Sequence, residues 1–405
     1  MPKSITLTAI DIGTSFTKVL VGQKESGSSE FNILAKEKIA QTGLRRGEIY
    51  DPAKVTETLF GLREKIQSQG LKIKKAIVGI GGTHLSVHKG QGLISTSRAD
   101  QRISAEDAQR VLQAAQSVAL PSNNEILDVC LKEFIIDNQR GIKEPAGLKG
   151  LRLEAKVILV CAFSPILEDL EKTVEEAGFE IEAIIPSPLA CSRAVLNSEQ
   201  KELGAAVLDM GNATTSLSVF KEGNLIDFAI FPLGSSNITN DIAIGLREEI
   251  AVAEQIKKEF NVFQNLKTKE KNKKTISKIF EKETSFPKNF LKQIIMARVS
   301  EMFLEIAKEL KKVSKDIVLP AGVVLTGGGS GLPGLKEFAR QKLGLPCQVS
   351  GPKGIHGTDE ADFSTAAGLL LSGFDLIDKE TLENRKDGKQ GLGIKLKKIF
   401  KIFLP

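Results

Sequence analysis

The stretch TLTAIDIGTSFTKVLVG, residues 6–22, breaks an alternating apolar run with Asp11 and Gly13, then adds two hydroxyls and Lys18. A single Asp-x-Gly is ordinary turn chemistry, because glycine tolerates positive φ and aspartate bonds the local backbone. The pattern returns in AAVLDMGNATTSLSVFKEGNLIDFAIFPLG, residues 205–234, as a buried-type strand, Asp209, Gly211, Thr214 and Thr215, and a second strand. Its KEGN turn leads into a third strand. The two aspartates stand almost half the chain apart, so the sequence reads as a duplicated domain. A third glycine-rich turn, GVVLTGGGSGLPGLKEF (322–338), follows a short apolar strand and opens a helix, whose N-terminus favours anions.

Two such hairpins facing each other make a phosphate pocket. Gly13 and Gly211 let backbone N–H groups approach phosphate oxygens, and Thr14, Ser15, Thr214 and Thr215 add donors. Mg²⁺ keeps several waters and takes few carboxylates plus phosphate oxygens, so Asp11 and Asp209, one from each half, suit it. Lys18 follows Asp11 by seven residues and can reach back to the phosphates as a point charge. No Gly-x-x-x-x-Gly-Lys-Ser/Thr occurs, which excludes a P-loop, and GGGSGLPG lacks the dinucleotide-binding spacing.

Composition narrows the class. The 405 residues suffice for two or three domains, and 41% hydrophobic with 26% charged residues fits a globular chain. No apolar run approaches the roughly 18 residues of a spanning helix, and MPKSITLTAID enters a strand at once, so no secretory leader is expected. Four scattered cysteines without a Cys-x-x-Cys suggest neither a disulfide framework nor a zinc site. His84 and His88 lie on a strand-like alternation whose four residues span roughly 13 Å, too far to share an ion. A net charge of +6 with no tryptophan and one tyrosine makes nucleic acid an unexpected partner.

The segments DIGTSFTK, LDMGNATTSLSVF and VVLTGGGSGLPGL resemble the phosphate-1, phosphate-2 and adenosine motifs of the actin, heat-shock chaperone and sugar kinase ATPase superfamily. IIPSPLACSRAVL and FSTAAGLLLSG resemble its connecting helices, where Ala366, Ala367 and Gly368 allow close crossing beneath a cleft. Within that superfamily, GLRRGEIYD (43–51), NEILDVCLKEFIIDNQRGIKEPAGLKGLRLEAKVILV (124–160), FPLGSSNITNDIAIGLREEIAVAEQIK (231–257) and the terminal GIKLKKIFKIFLP resemble the FtsA family of bacterial cell-division proteins. The resemblance covers nearly the whole chain.

It implies an α/β, two-lobed actin-like (ribonuclease H-like) ATPase fold with an FtsA-type inserted subdomain of SHS2 kind. The expected boundaries are 1–82 for the first-lobe core, 83–162 for the insert, and 163–197 for the rest of that core with a connecting helix. They continue as 198–243 for the second-lobe core, 244–312 for a helical subdomain and 313–374 for the second part of that core. A flexible linker at 375–391 and an amphipathic helix at 392–405 complete the chain. Independently of resemblance, 83–162 looks inserted and self-contained. Ser104 with Asp107 three residues on makes a capping box, and strand-like runs flank the connection DNQRGIKEPAGLKG.

The implied site holds ATP and Mg²⁺. Its phosphate set is Asp11, Gly13, Thr14, Ser15, Lys18, Gly211, Asn212, Thr214, Thr215 and Gly234, its ribose and adenine set is Glu254, Lys257, Gly327, Gly328 and Gly329, and Asp11 and Asp209 hold Mg²⁺ through water. Glu254 and Lys257 lie three apart on a helical face, as a ligand pair or a surface ion pair would. Ser235 stands where the family has a second glycine, which puts the ATPase rate in doubt; weak hydrolysis at most is expected.

Residues 267–283 are lysine-rich and read as a solvated loop beside the helical subdomain, which the resemblance makes the receiver of the FtsZ C-terminal tail, with Arg298 as a contact. In the tail, Leu392, Leu396, Ile399, Phe400 and Phe403 share one helical face and Lys397, Lys398 and Lys401 the other, the layout of an interfacial helix. The implied function is an ATP-binding protein that assembles with itself on the cytoplasmic membrane, anchors the FtsZ ring at the septum and recruits other division proteins. A type IV pilus assembly scaffold related to FtsA and a small-molecule kinase of the superfamily are the alternatives.

Overall fold

The computed structural model describes residues 4–25, 31–260, 274–279, 282–313 and 318–386. The expected amphipathic helix at 392–405 lies outside them. The chain opens with β1 (Ser4–Ile12), β2 (Phe16–Glu25) and β3 (Phe31–Ala40), a short ladder of β4 (Leu44–Arg45) and β5 (Glu48–Ile49), α1 (Pro52–Ser68) and β6 (Lys75–Ile80). β7 (Leu85–Ser95), α2 (Ala105–Gln116), β8 (Asn124–Ile136), β9 (Gln139–Ile142) and β10 (Arg152–Phe163) form a separate four-stranded sheet with one helix. α3 (Ser164–Glu176), β11 (Glu180–Pro186), α4 (Ser187–Val195) and α5 (Ser198–Leu203) lead to the second half.

That half runs β12 (Ala205–Met210), β13 (Thr215–Lys221), β14 (Asn224–Phe231), α6 (Ser235–Leu246), α7 (Ile250–Glu259), β15 (Lys274–Ile279), β16 (Lys282–Pro287), α8 (Lys288–Val313), β17 (Val323–Thr326), α9 (Leu335–Leu343), β18 (Cys347–Val349) and α10 (Ser364–Lys386).

The duplication read from two Asp-x-Gly turns is visible strand by strand. The first sheet has the order β11-β6-β1-β2-β3 and the second has β18-β17-β12-β13-β14. In both, the aspartate-bearing strand pairs antiparallel with its hairpin partner and parallel with a strand from later in the chain. Asp11 registers with Gly79 and Asp209 with Thr326 on those parallel neighbours. The turns match too: Gly13 N donates to Phe16 O at 3.1 Å and Gly211 N to Thr214 O at 2.9 Å.

The connecting helices join the halves. α4 packs against strands of both sheets, α10 lies along β1, β2 and β6, and the two helices cross. Ala190, Ala366 and Ala367 are fully buried, and a methyl group at Gly368 would run into the Ala190 backbone. Arg193 on α4 grips Asp375 on α10 with two hydrogen bonds, at 2.8 and 3.2 Å. α10 therefore belongs with the first sheet rather than with the second-lobe core to which 313–374 was assigned. The expected linker differs as well. Phe374 and Ile377 continue the buried stripe of Ala367 and Leu370, and Lys24 pairs with Asp378 at 2.6 Å, so residues 375–386 are helix; only 387–391 of that linker fall outside the described residues. Residues 274–279 and 282–287 pair as antiparallel strands, correcting the loop reading there.

The insert is less self-contained than its sequence suggests. The Ser104–Asp107 capping box forms as expected. However, β10 alternates between two cores: Leu153, Ala155, Val157, Leu159 and Cys161 face α2, whereas Ile158, Val160 and Ala162 join the main core. Cys130 on β8 joins the same core, along with Phe220, Leu225 and Phe228 of the second lobe. Across this seam Lys143 pairs with Glu202 at 3.0 Å and Asn224 Nδ2 donates to Lys132 O at 3.2 Å.

The crossing makes a sharp prediction. Gly368→Val forces a branched side chain against a backbone carbonyl that no rotamer change can move, so it costs about 3 kcal/mol or more in urea unfolding. A loss below about 1 kcal/mol, the range of a tolerated swap, contradicts the close crossing.

Candidate functional site

The two Asp-x-Gly turns and the glycine-rich turn after β17 converge on one cleft of about 650 Å³. Of the residues singled out from the sequence, Asp11, Gly13, Thr14, Ser15, Lys18, Asp209, Gly211, Asn212, Thr214, Glu254, Lys257, Gly327, Gly328 and Gly329 line it. Thr215 and Gly234 do not. Side chains alternate along a strand, so Thr214 faces the cleft while its neighbour Thr215 is fully buried, with its hydroxyl donating to Leu233 O at 2.7 Å. Gly234 is a clearance residue: a Cβ there would strike the Asn212 backbone, and its own N–H donates to Asn237 Oδ1.

The start of α6 is used to fix the second turn. Ser235 N donates to Gly211 O at 2.9 Å and Ser236 N to Asn212 O at 2.8 Å, so these amides are committed to the turn. Ser235 itself lines the cleft, and Gly329 packs beside it so closely that an added Cβ would sit 3.2 Å from the serine Cβ. Gly327 adopts φ 79°, and a side chain there would meet the Asp209 carboxylate.

Electrostatically the two hairpins differ. The β1–β2 register sets Lys18 opposite Asp11, and their charged groups meet at 3.2 Å. Burial pushes the Lys18 ammonium toward neutrality, but Asp11, Asp362 and Asp209 outweigh it and hold its pKa above the ordinary lysine value. In the second hairpin the residue opposite Asp209 is Ser216, with no charge. Burial, reinforced by Asp11, pushes the Asp209 carboxyl up to about 6, against the opposing effects of Lys18 and of hydrogen bonds from Thr365 and Cys191. The Cys191 thiol is itself pushed well above its usual value, by burial first and then by Asp209.

On the other wall, Lys257 Nζ contacts Glu254 Oε2 at 2.6 Å, Thr239 Oγ1 at 2.9 Å and Ser235 O at 3.2 Å. Glu254 and Lys257 therefore face the cleft as an ion pair with each other, and Lys257 is only 6% exposed.

Several cleft residues carry no sequence motif. Lys38 on β3 pairs with Asp362 at 2.5 Å, and Lys36 with Glu360 at 2.7 Å, tying the segment before α10 to the edge of the first sheet. Asp362 immediately precedes the connecting segment FSTAAGLLLSG and Thr365 is its third residue, the nearest thing to a signal for them. Arg298 lies away from the cleft on α8, gripped by Asp241 at 2.6 and 3.0 Å and by Glu301 at 2.6 Å. Among the described residues no group of three or more His, Cys, Asp or Glu is placed to hold a metal ion. Burial alone lowers the His84 pKa to about 4.

Comparison with known proteins follows the same division of the chain. The family model described as Cell division protein FtsA matches residues 206–368, and the one described as SHS2 domain inserted in FTSA matches 82–161. The Cell division protein FtsA of Bacillus subtilis is 35% identical over 368 residues, covering 89% of this chain and 82% of the relative. The chain belongs to the FtsA family. Its counterpart in Pseudomonas aeruginosa is 31% identical over 373 residues, covering 91% of this chain and 89% of the relative. The family is one of cell-division proteins, and this chain shares the actin-like ATPase fold. A structure of the PilM–PilN type IV pilus biogenesis complex superposes with a TM-score of 0.64 at 16% identity, covering 91% of this chain and 98% of the other. MreB5 of Spiroplasma citri bound to ADP superposes with a TM-score of 0.51 at 13% identity, covering 95% and 99%. At such identities these two likenesses concern fold alone, so the PilM likeness does not favour the pilus alternative.

The unbalanced Asp209 charge has a measurable consequence. A carboxyl whose pKa is raised on folding contributes stability below its unfolded value, here 3.8, that is lost as pH rises through about 6. Asp209→Asn keeps the position neutral, so in EDTA without nucleotide it should be more stable than wild type at pH 7 by about 1–3 kcal/mol. The gain should shrink toward pH 4. Equal or lower stability at pH 7 in urea unfolding contradicts the reading.

Proposed function

We propose that this chain is a nucleotide-dependent scaffold of bacterial division that binds Mg²⁺-ATP between its lobes, assembles with itself on the inner face of the cytoplasmic membrane and ties the FtsZ ring to it. The observation that carries the nucleotide part is the convergence of the paired Asp-x-Gly turns and the Gly327–Gly329 turn on one cleft. Backbone N–H groups beside Gly13 and Gly211 suit phosphate oxygens, with Thr14, Ser15, Asn212 and Thr214 as further donors. The triple-glycine turn and the Glu254–Lys257 pair bound the part that would take adenine and ribose.

The donor set also fits magnesium. Burial, reinforced by the Asp11 charge, raises the Asp209 carboxyl, and a divalent cation between the two carboxylates would relieve that cost. Asp11 and Asp209 would hold Mg²⁺, which would supply neutralisation of phosphate charge. Lys18, now on Asp11 at 3.2 Å, would be within the cleft to contact phosphate. The small-molecule kinase alternative needs a further carboxylate as base. The other lining carboxylates, Glu254, Glu360 and Asp362, are each engaged by a lysine.

No described helix is long and apolar enough to cross a membrane. Attachment is assigned to the sequence of residues 392–405, where Phe400 and Phe403 would enter the acyl boundary and Lys397, Lys398 and Lys401 the anionic headgroups. One such helix binds weakly, so assembly strengthens it through effective concentration. For the FtsZ tail, the Arg298 region of α8 is the proposed receiver, and Arg298 would have to exchange Asp241 or Glu301 for the peptide's charge.

One sedimentation experiment tests both attachments. With anionic vesicles, Mg²⁺-ATP and a labelled FtsZ tail peptide, wild type should pellet and carry the peptide. The Phe400→Glu, Phe403→Glu double variant should leave both in the supernatant. Continued pelleting of that variant refutes the tail assignment, and peptide left behind by pelleted wild type refutes the FtsZ assignment.

A further inference from the structure

A row of charge runs across three strands of the first sheet. Asp11 on β1 registers with Lys18 on β2, and Lys18 registers with Lys38 on β3. The equivalent row of the second half is Asp209, Ser216 and Ile230. All six residues line the cleft. The first lobe therefore presents two lysines side by side, and the second presents none in that row. Like charges directly opposite on adjacent strands destabilise a sheet, so the Lys18–Lys38 pair is a cost that folding alone does not account for.

Each of these lysines has its own carboxylate. Lys18 reaches back to Asp11 at 3.2 Å, whereas Lys38 reaches Asp362 at 2.5 Å, with its ammonium 4.1 Å from the centre of the Phe16 ring. Asp362 arrives on the chain between β18 and α10, which runs beside β3: Asn32 bridges with His356, and Lys36 pairs with Glu360 at 2.7 Å. Lys36 and Lys38 thus hold the same segment in the same way, but only Lys38 lines the cleft. The side chains of the Lys38–Asp362 pair remain 33% and 22% exposed, and an ion pair so open to water contributes little. The remaining cleft lysines, Lys257 and Lys258, share Glu254 on the other wall.

We propose that Lys38 is a second phosphate-binding lysine: beside Lys18 it gives the first-lobe wall a two-lysine edge, and Asp362 is its counter-ion until the phosphates of the nucleotide replace it. This rests on reading the cleft as a nucleotide site. A lysine ammonium binds phosphate as a point charge, so the exchange needs no change in the strands that carry it. The second lobe, whose row holds Ser216 and Ile230 instead, is left to supply the Asp209 carboxylate.

Calorimetric titration of Mg²⁺-ATP into the full chain separates this role from a purely structural one. Lys38→Met keeps an unbranched stem over Phe16 and removes the charge. It should bind about tenfold more weakly, the scale of one contact to a charged group, and Lys38→Arg should restore most of the loss. Asp362→Asn frees Lys38 and should bind about threefold more tightly, the scale of an exposed ion pair. Lys36→Met breaks the matching pair outside the cleft and should stay within about twofold of wild type. If the lysine pairs serve only to fasten the segment before α10, all three losses of an ion pair weaken binding alike. That result, or wild-type affinity in Lys38→Met, overturns the phosphate role of Lys38 while leaving the nucleotide site standing. If Lys38→Met fails to fold, the opposite sign of Asp362→Asn decides, and weaker binding by it overturns the proposal. Absence of Mg²⁺-ATP binding by wild type overturns the site itself and the proposal with it.

Discussion

Everything in this fold depends on two helices being allowed to touch backbone to backbone. Protein interiors are close-packed, and two helices carrying ordinary side chains stand about 8–10 Å apart. At Gly368 and Ala190 there is almost nothing between them. The crossing lets α4 reach both sheets and α10 lie along β1, β2 and β6 while the chain passes between lobes. The cleft sits directly above it. A side chain at Gly368 would run into the Ala190 backbone and push the two helices apart.

The duplication is faithful in backbone and unequal in charge. Strand order, register and turn hydrogen bonds repeat between the halves, but the lysine of the first hairpin has become a serine in the second. A cleft with two lysine-neutralised carboxylates would have little attraction for a divalent cation. Asp11 is balanced by Lys18 in its own hairpin while Asp209 faces Ser216, and that unbalanced carboxylate is what the proposed function assigns to a divalent cation. The cost is a strained charge in the metal-free protein, which burial and Asp11 together impose on Asp209. Such trading of stability for a preformed site is common where binding needs it.

Much of this is legible in the sequence because it is local. The repeated Asp-x-Gly turns, the triple glycine, the small residues at the crossing and the Ser104 capping box each occupy a few adjacent residues and each has one physical reason. What was misread depends on neighbours distant in sequence. Thr214 and Thr215 look alike until strand alternation turns one inward. Gly234 reads as a phosphate contact, but its role is to leave room for Asn212. The polar run after Asp378 reads as linker, yet the stripe of Ala367, Leu370, Phe374 and Ile377 carries the helix onward. Lys38 carries no motif, and nothing local marks Thr365 within its connecting-helix segment, since the value of both lies in what the fold brings beside them.

A structure of the chain with Mg²⁺ and a non-hydrolysable ATP analogue tests the central claim most directly. The account predicts the triphosphate between the Gly13–Thr14 and Gly211–Thr214 turns, the metal within one water of Asp11 and Asp209, Lys18 withdrawn from Asp11 toward phosphate, and the Gly368–Ala190 contact intact beneath. Nucleotide bound elsewhere, or in the cleft with the metal remote from both aspartates, contradicts it.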